Sequence, residues 1–418
     1  MLVLNRAKLP LGLCLILGGA ALLLWAGKLP AETGATLGLS LAQMELWLMM
    51  GITVLVLEFG RFMTEPHNSE EILKVFRRIG GKHGRSLSLM GAPAVVGLIP
   101  MPAGALFSAP LVGDSVKQGD WPSEWKAAVN YWFRHIWEYW WPLYPGVIVA
   151  MPLFAIETWQ FFAVQIPFTL TAVFSGWFFL IRPNVKILST GNSDKEKGNA
   201  KRTIAALSPL IVVVAGVLII PSILGIIAPD LSSQNRTMTA MLIGLLAGLL
   251  VIVHEDRRRE NCKRTFKTLL EKKSLYILLT ISGVMIFKHC LDSSGLILAA
   301  SNEIGDQRMG MVSVVAGLPF LAGMITGVAV GFTGVSFPFI VGLTAVEGSG
   351  MGPLATLALA YGCGYMGMML SPVHLCLLVT KDYFESSILR IIPTILPCVL
   401  AILAYAVGGH MLFRALGW

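Results

Sequence analysis

Charged residues are scarce in this chain of 418 residues, in which Asp, Glu, Lys and Arg together make up 13%. Soluble domains carry about 25%, so a charge-coated soluble globule is excluded. The mean hydropathy of +0.71 and apolar runs of about twenty residues indicate a chain that is solvated by lipid. We interpret the sequence as an all-α membrane protein with about nine full spans plus two re-entrant helical hairpins.

Several chemical motifs are absent. The sequence has no glycine–lysine phosphate-binding loop, which speaks against ATP-driven transport. Its six cysteines have neither zinc-ligand nor redox spacing, so we interpret them as small core residues and expect no cofactor and no metal. The net charge of +8 comes from basic residues between apolar segments. The lipid bilayer is therefore the expected partner, and nucleic acid is not.

The apolar segments predict the spans. Nine are interpreted as full spans, the first of them kept rather than cleaved as a signal peptide: roughly 9–26, 41–60, 127–156, 158–181, 204–228, 236–254, 274–291, 352–380 and 386–412. Two more stretches, 89–112 and 311–345, are interrupted by proline and glycine. Proline breaks a helix, and irregular backbone at membrane depth is tolerated only inside protein or beside a cavity. Both stretches therefore predict hairpins that enter the membrane and turn back.

Basic residues predict the topology. Loops 61–88, 182–202 and 255–273 carry six, six and eight Lys and Arg residues, and such loops lie in the cytoplasm. If 89–112, 127–156 and 158–181 all crossed the membrane, loop 182–202 would lie outside. All three basic loops lie in the cytoplasm only if 89–112 re-enters, which leaves two crossings between the first two loops. The protein is then a multi-pass protein of the plasma (inner) membrane with a cytoplasmic N-terminus and an external C-terminus. The loops 27–40, 229–235 and 292–310, which are poor in basic residues, are expected outside.

The same arrangement divides the chain into two repeats of opposite orientation. The first repeat, 1–182, contains two spans, hairpin 89–112, the broken span 127–156 and span 158–181. Residues 183–235 form a cytoplasmic loop and a linker span, and 236–418 repeat the pattern with hairpin 311–345, broken span 352–380 and span 386–412. Ser108-Ala109-Pro110 matches Ser336-Phe337-Pro338, and the next break-forming proline follows after 35 and 34 residues respectively. Inverted repeats with broken helices are typical of secondary transporters.

The first broken span carries the most unusual residues for a membrane segment, namely Arg134, His135 and Glu138. Ionised groups in hydrocarbon are costly and persist where they pair, face water or serve a pathway. One interpretation gives Arg134 to an anionic substrate and His135 or Glu138 to proton exchange. The other is a structural Arg134–Glu138 pair near the interface, one helical turn apart, with the neighbouring tryptophans as an interfacial belt.

The breaks and hairpin tips supply the remaining candidates. Pro142 and Pro145-Gly146 should interrupt one helix, and Ser371-Pro372 the other. The half-helices that begin after these breaks offer free N–H groups to an anion, and His374 is either a proton carrier or a core histidine. The predicted tips have small and hydroxyl residues, which suit either substrate contact or close helix packing. The candidate substrate-binding residues are Pro100, Pro102, Gly104, Ser108, Arg134, Tyr144, Gly146, Thr333, Gly334, Ser336 and Ser371.

Two stretches resemble a known family. Gly97–Leu111 (GLIPMPAGALFSAPL) and Asn130–Gly146 (NYWFRHIWEYWWPLYPG) are similar to an uncharacterised family of prokaryotic integral membrane proteins grouped with the ion-transporter superfamily. That superfamily includes arsenite, citrate, dicarboxylate and gluconate carriers. The resemblance implies ion-coupled transport in which two hairpin tips meet broken helices. The tip at Gly331–Ser336 has Thr333 and Ser336 but no Asn, which departs from the sodium clamps of dicarboxylate carriers.

The leading hypothesis is a secondary active transporter, and not an enzyme, that moves an organic anion by symport with H⁺ or Na⁺ through alternating access. The coupling ion is the one expected bound species besides the small anionic substrate, and a homodimer is an open alternative to a monomer. A cation/proton antiporter and a polytopic membrane enzyme or lipid-handling protein acting on a phospho-headgroup remain alternatives. An enzyme site is expected in one half at headgroup depth, whereas a transporter site is expected to be shared by both halves.

Overall fold

The computed structural model describes residues 9–63, 84–98, 104–116, 121–184, 200–258, 272–297, 299–300, 308–345 and 350–417. Within these ranges all regular structure is helical, in sixteen α-helices. They are α1 Leu11–Trp25, α2 Pro30–Ser40, α3 Met44–Met63, α4 Gly84–Val96, α5 Ala105–Ser115, α6 Ser123–Arg134, α7 Pro145–Leu153, α8 Thr158–Gly176, α9 Ala200–Ile227, α10 Ser233–Arg258, α11 Lys272–Ser294, α12 Arg308–Thr326, α13 Ala329–Thr344, α14 Pro353–Met369, α15 Leu375–Tyr383 and α16 Ile388–Ala415. A π-helical turn, Trp177–Ile181, extends α8.

Five helices are long and apolar enough to cross a bilayer: Thr158–Ile181, Ser208–Ile227, Ser233–His254, Ser274–Ser294 and Ile388–Ala415. They coincide with five of the predicted spans. A sixth span is formed if α2 and α3, which meet at a 50° bend, are counted together. The protein is therefore a multi-pass, all-helical membrane protein, and the full count of nine spans stays a prediction.

The prediction of a loop at 27–40 is wrong, because Pro30–Ser40 is helix α2. Pro30 occupies its first position, where the missing N–H costs nothing. The side chain of Glu32 accepts a hydrogen bond from the backbone N–H of Leu29 at 3.0 Å, which satisfies one of the free donors at the helix start. These local signals start a helix in a segment whose low charge had indicated only an external connection.

The segment 89–112 contains two short helices that pack on each other, α4 and α5. Pro93 lies in α4 and Pro110 in α5. At about 1.5 Å per residue their 13 and 11 residues extend about 20 and 16 Å, which is less than the roughly 30 Å of a hydrocarbon core. The predicted tip residues Pro100 and Pro102 lie outside the described residues.

The segment 311–345 also contains two helices that pack on each other, α12 and α13. They are joined at Gly327, whose φ of +66° suits a residue without Cβ. The predicted tip at Gly331–Ser336 is therefore wrong, since these residues form the first turns of α13. A Cβ on Gly331 would collide with the side chain of Thr326, so this glycine lets the two arms of the hairpin approach.

Both predicted breaks are present. The first separates α6 from α7 and covers residues 135–144, which form turns. It is longer than expected from Pro142 and Pro145 alone, because the helix already ends at Arg134. The second separates α14 from α15 at residues 370–374, around Ser371-Pro372. Each break leaves a half-helix of nine residues behind it.

The two halves of the chain pack crosswise around these breaks. Helix α5 of the first hairpin packs against α15, the half-helix after the second break. Helix α13 of the second hairpin packs against α7, the half-helix after the first break. Helices α1, α3, α10 and α11 form a second group of neighbours, in which α1 packs on α11 and α10 on α3, and this group also contacts α7 and α13. As a result the two breaks lie side by side in the interior.

Candidate functional site

Ionisable side chains from both halves meet where the two breaks face each other. We call this group the break cluster; it consists of Arg134, His135, Glu138 and Tyr144 from the first break and His374 and Cys376 from the second. All six side chains are buried. Burying charge in an apolar interior lowers stability unless the charges are paired, so these side chains need partners within the cluster.

Arg134 is the last residue of α6 and is 1% exposed. Its Nη1 donates to the hydroxyl of Tyr144 at 3.1 Å and lies 3.9 Å from Oε1 of Glu138. The tyrosine hydroxyl in turn donates to the carbonyl of Gly97, next to the first hairpin tip. Arg134 and Glu138 therefore lie within ion-pair distance, as one of the two interpretations of the sequence has it, but across the end of a helix rather than along one.

The two histidines are neighbours. Nδ1 of His135 lies 2.6 Å from the carbonyl of Tyr131, and Nε2 lies 3.8 Å from Oε1 of Glu138. The ring of His374 is 5.0 Å from that of His135, centre to centre, and its Nδ1 lies 3.3 Å from both the Tyr131 hydroxyl and the Met368 carbonyl. Ligand atoms of His135, His374 and Cys376 all lie within 4.8 Å of one another. These donors are of the type that soft transition metals prefer.

Tyrosines of α14 satisfy the backbone of the first break. The hydroxyl of Tyr361 donates to the carbonyl of Glu138, and that of Tyr365 donates to the carbonyl of His135, each at 2.7 Å. Thr169 donates to the carbonyl of Ile136. An unpaired carbonyl at this depth would be costly, so these hydroxyls stabilise the irregular chain. They also join the second half of the protein to the break in the first.

A cavity of about 340 Å³ opens beside the cluster, at the lower end of the roughly 300–1,000 Å³ typical of small-molecule sites. Arg134, Glu138, Tyr144, His374 and Cys376 form its polar wall. The rest is mainly apolar and comes from α1, α3, α11 and the second hairpin, with Leu11, Val56, Leu57, Ile277, Val328 and Val330.

Three helices begin at this cavity. Pro145 opens α7, Ala329 opens α13 and Leu375 opens α15, and all three residues line the cavity wall. The N–H groups of a first helical turn have no partner within the helix, and the helix dipole makes that end positive. The cavity therefore combines one guanidinium with three electropositive helix ends, an arrangement that suits an anion.

Comparison with known proteins places the chain in a family. A family described as "Protein of unknown function (DUF401)" matches residues 2–409. The chain belongs to the DUF401 family. This confirms the expected membership of an uncharacterised membrane protein family, while the wider ion-transporter superfamily stays a prediction. Among curated protein sequences, none gives a significant match.

The DUF401 fold is similar to that of a solved membrane transporter. The YdaH transporter of Alcanivorax borkumensis aligns with a TM-score of 0.56 and 13% identity, over 90% of this chain and 86% of that one. At this identity the likeness concerns the fold. It extends over most of both chains and is not confined to a few helices.

Of the predicted site residues of the first hairpin, the two that the structure describes, Gly104 and Ser108, are not among the residues that line the cavity. Gly104 precedes α5 and is buried, and the hydroxyl of Ser108 is 3.3 Å from the carbonyl of Ala105 in its own helix. That carbonyl also accepts from the amide of Asn130, which reaches Thr380 of α15 at 3.3 Å. These residues hold hairpin, broken helix and half-helix together.

The predicted residues of the second hairpin also serve packing. Thr333 and Ser336 donate to carbonyls one turn earlier in α13, and a Cβ on Gly334 would collide with Val284 of α11. Residues 327–330 line the cavity in their place. The hydroxyl of Ser371 donates to the carbonyl of Met324 at 2.7 Å, which ties the second break to the hairpin.

Gly146 and the tryptophans also have structural contacts. A Cβ on Gly146 would lie 2.7 Å from that of Ala329, so only glycine lets α7 approach α13 this closely. The interfacial tryptophan belt, which belongs to the structural interpretation of Arg134 and Glu138, stays a prediction. The indole N–H groups of Trp137 and Trp141 donate to the carbonyls of Ala94 and Leu98 at 2.7 and 2.9 Å, inside the protein.

Sequence reasoning missed three contributors to the site. Cys376 is one of the six cysteines expected in the core, and Tyr361 and Tyr365 are not among the candidate residues. The tyrosines lie four residues apart on one face of a buried helix, which is a usable signal for a pair of hydroxyls directed at one partner. Cys376 follows His374 by two residues beside a predicted break, and nothing in its local sequence distinguishes it from the other cysteines.

Proposed function

We propose that this protein is a secondary active transporter that moves an organic anion across the plasma (inner) membrane, coupled to H⁺ or Na⁺. The single observation that carries the proposal is the cavity that both halves build, with Arg134 in one wall and three helix N-termini around it. A site that two broken helices and a hairpin line together, with residues from both halves of the chain, is similar to the arrangement found in transporters with inverted repeats. The fold shared with a solved transporter supports the same conclusion.

The crosswise packing supports two inverted repeats, 1–182 and 236–418, joined by a linker. One helix of each hairpin packs against the half-helix of the other repeat, as expected if a pseudo-twofold axis relates the two repeats. Movement of the hairpins and broken helices against the α1, α3, α10 and α11 group would open the cavity to each side in turn. This is the alternating access that we propose, with the N-terminus in the cytoplasm and the C-terminus outside.

A proton is the coupling ion that the site favours. The carbonyls of the first break that suit Na⁺ already accept hydroxyl hydrogen bonds at His135, Ile136 and Glu138. Glu138 lies within 4 Å of both Arg134 and His135, so a proton on its carboxylate would free the guanidinium for an incoming anion. His135 and His374 are the neighbouring groups that would deliver the proton.

The alternatives fit this geometry less well. A membrane enzyme acting on headgroups needs its polar residues in one half near the interface, whereas this cluster draws on both halves. A cation/proton antiporter needs a carboxylate available to its cation. The carboxylate of this cluster, Glu138, faces a guanidinium instead.

The proposal is tested with purified protein in lipid nanodiscs and with proteoliposomes. We expect carboxylates to raise the melting temperature, and a labelled carboxylate that does so to accumulate in proteoliposomes when an inward proton gradient is imposed. The carboxylate response should be lost in Arg134→Gln. Arg236→Gln is the matched control and should keep the response, because Arg236 pairs with Glu157 at the exposed end of α10. Stabilisation by Na⁺ or pH alone, with no carboxylate response, would argue for antiport and against anion transport.

A further inference from the structure

The charge balance of the cavity wall limits the charge of the ligand. Among the described lining residues there is one guanidinium, Arg134, one carboxylate, Glu138, and no lysine. A second carboxylate on the ligand would therefore find no second guanidinium or ammonium group among these residues, and burying a charge without a cationic partner is costly.

The distribution of polar and apolar side chains around the cavity also favours a ligand with a single charge. Arg134, Tyr144 and His374 lie with the helix starts at Pro145 and Leu375, on the side of the breaks. Most of the rest of the lining, which we call the apolar wall, comes from α1, α3, α11 and the second hairpin, and its side chains are aliphatic apart from Thr280. A ligand that satisfies both walls has one anionic end and one apolar body.

We propose that the transported class is amphiphilic monocarboxylates, with aliphatic or aromatic bodies, rather than the dicarboxylates and tricarboxylates that a generic anion carrier accepts. This inference rests on the proposed function and names its substrate class. The carboxylate binds at Arg134 and the adjacent helix N-termini. The body lies against Ile277, Val328 and Val330 and displaces water from that surface.

The apolar wall makes a quantitative demand on affinity. Each methylene that is buried against it lowers the half-stabilising concentration about threefold to fourfold. A cavity of about 340 Å³ accommodates such gains for short chains, so affinity is expected to rise from butyrate through hexanoate to octanoate. A second carboxylate at the far end reverses the gain, because it takes the place of the methyl group on the apolar wall.

The test compares hexanoate with adipate, which have the same number of carbon atoms and differ by the second carboxylate. Thermal stabilisation of the protein in nanodiscs is measured against each acid, with butyrate, octanoate, succinate and citrate alongside. We expect hexanoate to act at a concentration at least about tenfold lower than adipate, and citrate to act weakest. Equal or stronger binding of adipate, succinate or citrate would overturn the inference while leaving anion transport intact.

A pair of variants on one helix tests the position of the body. Val330→Thr replaces a methyl group of the cavity wall with a hydroxyl at nearly constant volume, and Val341→Thr makes the same change elsewhere on α13. We expect Val330→Thr to reduce the gain from butyrate to octanoate several-fold and Val341→Thr to leave it unchanged. An undiminished gain in Val330→Thr contradicts the assignment. A protein that no carboxylate stabilises contradicts both this inference and the proposed function.

Discussion

Whether the buried Arg134–Glu138 pair binds substrate or only holds the fold is decided by a double-mutant cycle. Arg134→Gln removes the charge beside Oε1 of Glu138, 3.9 Å away, and leaves that carboxylate buried without its guanidinium partner. Breaking one side of a buried pair costs about 3–5 kcal/mol. We expect Arg134→Gln to lower the melting temperature strongly, while Arg134→Gln/Glu138→Gln, which leaves two neutral amides, recovers most of the loss.

The two interpretations differ in what the double variant binds. A charge-assisted hydrogen bond is worth about 1.5–3 kcal/mol, which is roughly 10- to 150-fold in affinity. If Arg134 contacts the anion, the double variant is stable but binds carboxylates weaker by that factor. Melting curves at increasing carboxylate concentration measure both quantities on one sample. A double variant that binds carboxylates as tightly as the wild type would refute the role of Arg134 in the site.

Two further predictions concern the backbone around the breaks. Gly146→Ala places a methyl group 2.7 Å from Cβ of Ala329. This variant should lower the free energy of unfolding by about 1–3 kcal/mol and weaken the carboxylate response. Its control, Gly317→Ala, has open space around it and should be neutral or stabilising. Tyr365→Phe leaves the buried carbonyl of His135 without its hydroxyl donor and should lower the free energy of unfolding by about 1–3 kcal/mol. Its control, Tyr276→Phe at an exposed position, should lower it by almost nothing. Equal melting temperatures within either pair of variants would contradict these contacts.

Local signals predicted the breaks well because proline acts on its own neighbourhood. Pro145 cannot donate a backbone hydrogen bond and is preorganised for a helix start, and α7 begins at that residue. Ser371-Pro372 marks the second break for the same reason. The two charged residues beside the first break indicated the site because their burial requires partners.

Tertiary contacts account for what the sequence did not predict. Gly331 and Gly334 look like a turn, but their missing side chains make room for Thr326 and Val284, and neither neighbour is visible from local sequence. Gly327, the actual turn, looks like one more glycine of a packed helix. Cys376 belongs to the site only because the fold brings α15 beside His135.

The crosswise seating of hairpins on half-helices has a consequence for biosynthesis. While the first half of the chain is already in the membrane, α7 still lacks α13, which the ribosome has yet to make, and the first break lacks the hydroxyls of Tyr361 and Tyr365. The backbone carbonyls of the first break therefore lack these hydrogen-bond donors until the last third of the protein is inserted. Nascent chains truncated before residue 329 should be recognised by membrane quality-control proteases, and those extended beyond residue 383 should escape them.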